Sequence, residues 1–86
     1  MTTQPAAFSD RQRQGIATLV HNARMFERSN DVATDGGQQA FLRASAIVAL
    51  HHDLTQFDAA YLMQALLPRH YYRAVDQVFA DVYSRA

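Results

Sequence analysis

Residues 38–67 read QQAFLRASAIVALHHDLTQFDAAYLMQALL, and Arg43, Asp53 and Asp58 are the only formal charges in that run. No six consecutive positions alternate apolar with polar residues, the sustained period a half-buried strand needs. The run therefore divides into two helices, about 38–52 and about 55–67. Thr55, with Asp58 three residues on and Leu54 just before, has the spacing of an N-cap with a hydrophobic staple. Around the first of these helices Phe41, Val48, Ala44, Ala40 and Ile47 form one stripe; Leu42, Ala46, Ala49 and Leu50 form another on the far side. Around the second, Phe57, Tyr61 and Ala65 lie on one side and Leu62, Met63, Leu66 and Leu67 on the others.

The flanking segments are ordinary amphipathic helices. Ser9 and Gln12 have capping-box spacing for a helix over about 10–29. Ile16, Leu19, Val20, Ala23 and Phe26 share one face of it, with Met25 opposite. Gly15 weakens that helix by up to ~1 kcal/mol relative to Ala, and marks either a close helix crossing or the end of the first turn. Residues 30–37, NDVATDGG, read as a turn-rich loop. Pro68 is suited to a helix start, because its missing N–H is no loss in the first turn. A fourth helix follows over about 69–84, with Tyr71, Tyr72, Val75, Val78, Phe79, Val82 and Tyr83 on one arc and Asp81 four residues before Arg85. The fold class is all-α: a compact bundle of four helices over 9–86, one domain, behind a short disordered tail over 1–8.

Composition narrows the function. A chain of 86 residues with 49% hydrophobic and 19% charged content has room for one core. Eight basic residues balance eight acidic ones, so no field draws the chain to nucleic acid or an anionic membrane. The absence of cysteine excludes disulfides, thiolate metal sites and thiol nucleophiles. No stretch has the form of a secretory signal or approaches the roughly 20 apolar residues of a membrane span, so a cytoplasmic protein is expected. All basic residues are Arg and none is Lys, which fits a GC-rich bacterial or phage genome.

Candidate chemistry is sparse. His51, His52 and Asp53 are contiguous, but neighbouring helical residues point about 100° apart, so at most one joins a given metal site. His52–Asp53 resembles the metal-binding dipeptide of HD phosphohydrolases; that resemblance implies further His and Asp ligands over a much longer helical domain, which this chain lacks. Ser45 has no strained elbow around it, and Glu27 is the only glutamate. No cofactor or metal is expected, and no enzymatic activity.

Two readings of the greasy middle stand side by side. Either helix 38–52 is a central helix wrapped by the other three, or Leu42, Leu50, Leu62 and Leu66 contribute to a second surface that pairs with another chain. Arg and Tyr are enriched at binding hot spots, which adds Arg69, Tyr72, Arg73 and Tyr83 as partner-contact candidates. Arg11, Arg13, Arg24 and Arg28 make a second mixed surface. The function expected is a non-enzymatic interaction module, a small bacterial or phage accessory protein that binds a protein partner and sterically blocks or bridges it. An inhibitor of a host defence complex is an example, and the module could work as a homodimer. The alternative is a helix-turn-helix DNA-binding regulator, which the apolar, arginine-free helix 55–67 disfavours.

Overall fold

The computed structural model describes residues 7–86, and four α-helices follow one another through it: α1 Asp10–Glu27, α2 Asp35–His51, α3 Gln56–Leu66 and α4 Tyr72–Ser84. Short 3₁₀ turns at Asn30–Ala33 and Arg69–Tyr71 lead into α2 and α4, and no strand occurs among the described residues. The all-α bundle expected from the periodicity is the architecture found. Of the tail expected over 1–8, residues 1–6 lie outside the described residues; Ala7 and Phe8 are exposed.

Helices α1, α2 and α3 each begin where a side chain satisfies a backbone N–H group that has no intrahelical partner, whereas α4 has no such side-chain cap. At α1 the Ser9 hydroxyl accepts from the Gln12 amide at 3.1 Å, and the Gln12 side-chain oxygen accepts from the Ser9 amide at 2.9 Å. At α3 the Thr55 hydroxyl accepts from the Asp58 amide at 3.0 Å, while Leu54 and Ala59, the staple pair, are both buried. The start of α2 corrects the expected boundary of residue 38. Thr34 caps the Gly37 amide at 3.0 Å, so Asp35, Gly36 and Gly37 form the first turn of the helix rather than the end of a loop. A Cβ on Gly37 would lie 2.6 Å from the Asp31 carbonyl oxygen, so the glycine is where the 3₁₀ turn over 30–33 packs directly on the helix. The Gln38 side chain then donates to the Val32 carbonyl at 2.8 Å. The fourth helix also starts later than residue 69, because Arg69–Tyr71 winds as 3₁₀ after Pro68.

Helix α2 is the hub, packing against α1, α3 and α4. Its Leu42, Ala46 and Ala49 are fully enclosed, and with them lie Leu19 and Phe26 of α1, Met63 of α3, and Val75, Val78 and Phe79 of α4. Phe26 stacks on Phe41 with ring centroids 4.1 Å apart and meets Tyr71 edge-on at 6.0 Å, an aromatic cluster joining α1, α2 and the turn before α4. Ser45 is the buried polar residue of the core; its hydroxyl is satisfied by the Phe41 carbonyl at 2.8 Å.

The crossing of α1 and α2 depends on Gly15. A Cβ there would sit 2.5 Å from Cβ of His52 and 2.8 Å from its Cγ. Of the two readings of this glycine, the close crossing is the one found. Gly15→Ala should lower unfolding free energy by about 1–2 kcal/mol in urea titrations, the overpacking outweighing Ala's better helix propensity. Gly36→Ala, whose Cβ would meet nothing within 4 Å, should instead raise it by about 0.5 kcal/mol. Parallel responses of the two variants would remove the close-crossing explanation.

Candidate protein-interaction face

The middle of the chain turns its greasy residues in both directions, and the structure sorts them. Leu42 is fully enclosed, so the expectation that it faces a partner is corrected: it has no area to offer. Leu50, Leu62 and Leu66 are half-buried, the latter two packed against the core. The central-helix reading thus accounts for the inner stripe of α2. On the outer stripe Ala40, Ala44 and Ile47 are exposed, while Phe41 and Val48 are half-buried and packed against the core.

Helix α3 is different. Its inner face consists of Ala59, Ala60 and Met63, all buried, and its outer face carries Phe57 at 78% exposure and Tyr61 at 69%. These two sit one helical turn apart and project together. On one side of them a hollow of about 410 Å³ is lined by Gln56, Phe57, Ala60, Tyr61, Gln64 and, from α4, Asp76. On the other side a hollow of about 430 Å³ is lined by Phe8, Ile16, Leu54, Asp58, Tyr61, Leu62 and Ala65. Tyr61 is the ridge between them. The sequence pattern held the signal, since Phe57, Tyr61 and Ala65 form a side of their own; it lacked the information that the opposite side was the one turned inward.

Of the partner-contact candidates on α4, Arg69 and Arg73 are exposed, and Tyr72 is 39% exposed. They share the outer strip of the 3₁₀ turn and first turn of α4, next to the Asp76 hollow. The Gln64 side chain bridges to this strip, donating to the Asp76 carboxylate at 2.8 Å. Tyr83 plays a different part. Its hydroxyl donates to the Leu54 carbonyl at 2.7 Å, fastening the end of α4 to the α2–α3 turn, and its burial pushes the phenol above its ordinary pKa.

The histidine–aspartate run is architectural. His52 is the C-cap of α2 and Asp53 takes the left-handed conformation at φ 60°. The Leu54 amide donates to the Ala49 carbonyl at 3.0 Å and the Asp53 amide to Leu50 at 3.1 Å, the paired bonds of a Schellman ending. Helix α1 clasps this turn. A ring nitrogen of His52 hydrogen-bonds the Arg11 carbonyl at 2.9 Å, Gln12 donates to the Asp53 carbonyl at 2.9 Å, and the Arg11 guanidinium pairs with the Asp53 carboxylate at 3.3 Å. Among the described residues no three His, Asp or Glu side chains converge on a common point.

Charges elsewhere are surface pairs. Asp81 accepts from Arg43 of α2 at 3.1 Å and from Arg85 at 3.0 Å, and these hydrogen bonds hold its carboxyl below the usual carboxylate pKa. On α1 Arg13 pairs with Asp10, whereas Arg24 and the C-cap Arg28 join no ion pair among the described residues. The outer face of α3 carries no basic side chain, a poor match for the phosphate contacts of a recognition helix. No described helix is long and apolar enough to cross a membrane.

The sequence matches no protein-family model, no curated protein and no solved structure.

Two measurements check the sorting. Leu42→Asp, placing a carboxylate in the core, should cost several kcal/mol and abolish cooperative unfolding; a folded variant would return Leu42 to the surface. Tyr83→Phe leaves the Leu54 carbonyl without its donor and should cost ~1 kcal/mol near neutral pH. Because the folded-state phenol pKa is raised, its contribution is complete below about pH 10 and is lost as pH climbs through the folded value. Thermal melts between about pH 8 and 11 should therefore fall more steeply for the native protein than for Tyr83→Phe.

Proposed function

We propose that this protein is a small helical interaction module, of the kind carried as an accessory by bacteria or phages, that performs no chemistry and acts by covering the working surface of a protein partner. The observation that supports it is the exposure of Phe57 and Tyr61 side by side, at 78% and 69%, on a helix whose other face is committed to the core. Single exposed apolar residues are common on any protein and mean little. An adjacent aromatic pair, with Tyr61 lining both hollows and Phe57 one of them, is another matter, because burying each ring is worth ~1.5–3 kcal/mol and a partner's side chains have places to enter. Tyr72, Arg69 and Arg73 border the same face and extend it with the residue types that dominate binding hot spots.

Intramolecular packing gives no reason to keep these rings. A serine at either position would leave the core untouched, since neither Phe57 nor Tyr61 belongs to it. The double variant Phe57→Ser/Tyr61→Ser should melt within ~1 kcal/mol of the native protein. Used as bait in a bacterial lysate beside the native protein, it should lose tenfold or more of whatever the native bait specifically retains. Equal recovery by both baits, with both folded, would retire the α3 face as the working surface.

A further inference from the structure

We propose that the α3/α4 face is a twofold contact between two copies of this chain, with Arg73 of each copy entering the other's hollow against Phe57, Tyr61 and Asp76. The inference rests on the interaction reading above and specifies one occupant of that surface.

The hollow selects its guest by charge. Asp76 is the single charged group lining it, and Phe57 and Tyr61 supply ring faces whose negative quadrupole favours a cation. The Gln64 side chain, donating to one Asp76 oxygen at 2.8 Å, holds the carboxylate at the wall. No basic group lies within 4 Å of Asp76 among the described residues, as is also true of Glu27, Asp31, Asp35 and Asp58; what sets Asp76 apart is its place in the wall of an aromatic hollow. A guanidinium, planar and weakly hydrated, fits an aromatic and carboxylate lining better than an ammonium.

The same strip also presents a guest. Arg73 is exposed, lies three residues before Asp76 on α4, and joins no ion pair among the described residues. One face therefore carries both an acidic aromatic hollow and an uncommitted guanidinium, the self-complementarity that a twofold interface requires. Two α4 helices laid antiparallel about an axis between positions 73 and 76 bring each arginine opposite the other copy's aspartate. With zero formal net charge, no overall repulsion opposes the encounter.

The small area places this contact among weak, transient ones. The four rings of a dimer would remove roughly 600 Å² from water, about half of the ~1,200 Å² at the low end of specific interfaces, the remainder coming from the surrounding strip. A dissociation constant of about 10–100 µM is the expected range for so small a seam.

Sedimentation equilibrium on the full chain from about 5 to 500 µM tests this with Arg73→Glu, Asp76→Arg and the double reversal. The native protein should pass from monomer to dimer across that range. Either single reversal, which opposes like charges twice across the axis, should weaken association about tenfold or more, and the double reversal, which restores the charge pairing but not the contact of a cation with the rings, should recover part of it. A native chain that stays monomeric, single reversals that dimerise like the native chain, or a double reversal no better than the singles would each overturn the proposal. A monomeric native chain whose lysate capture still depends on Phe57 and Tyr61 would overturn the self-contact alone and leave the interaction module standing. A charge-rescued dimer whose capture ignores those rings would have the reverse meaning.

Discussion

The close approach of α1 to the C-terminal end of α2 is the contact on which the rest of the arrangement depends. Gly15 leaves room for the His52 side chain at a distance no Cβ would tolerate. That proximity lets Arg11 and Gln12 reach the 51–53 turn and hold it from above. Once held, the turn aims the chain into α3, and the Leu54 carbonyl becomes the point to which Tyr83 of α4 is fastened. A glycine in α1 thus bears on the α2–α3 turn and, through the Leu54 carbonyl, on the end of α4. Asp53 accepts a left-handed backbone conformation to make this turn, a cost that for an aspartate is smaller than for most residues and that the Schellman bonds offset.

The interaction face is a consequence of the same geometry. The inner face of α3 carries the small residues Ala59 and Ala60 beside Met63, so the helix sits against the core without needing its other large side chains. Phe57 and Tyr61 are left on the outside with no neighbour long enough to cover them. Their exposure has a physical cause in the packing, and an equally physical consequence: rings in water beside a hollow gain by meeting another surface.

How legible these features were differed by residue. The caps at Ser9 and Thr55 could be read directly, because a hydroxyl three residues ahead of a partner amide is a local arrangement needing nothing from the rest of the fold. The start of α2 could not. Gly36–Gly37 carries the signature of a loop, and only the packing of the 30–33 turn against Gly37 explains that glycine inside the first helical turn, while Gly36 faces open space. The clearest miss was Leu42. On a helix apolar all round, leucine and phenylalanine stripes look alike, and the wheel does not say which side meets neighbours. Leu42 lies on the enclosed side.

Local chemistry in the sequence decided that there would be four helices, roughly where they begin, and that the middle two would carry more apolar surface than polar. These follow from period, capping side chains and composition, each of which acts over a few residues. Which apolar side faces inward was decided only by the tertiary structure, because it depends on how closely helices distant in sequence can approach. Gly15 against His52 places α1, the turn that α1 clasps places α3, and the aromatic pair on α3 is what remains uncovered when those placements are made.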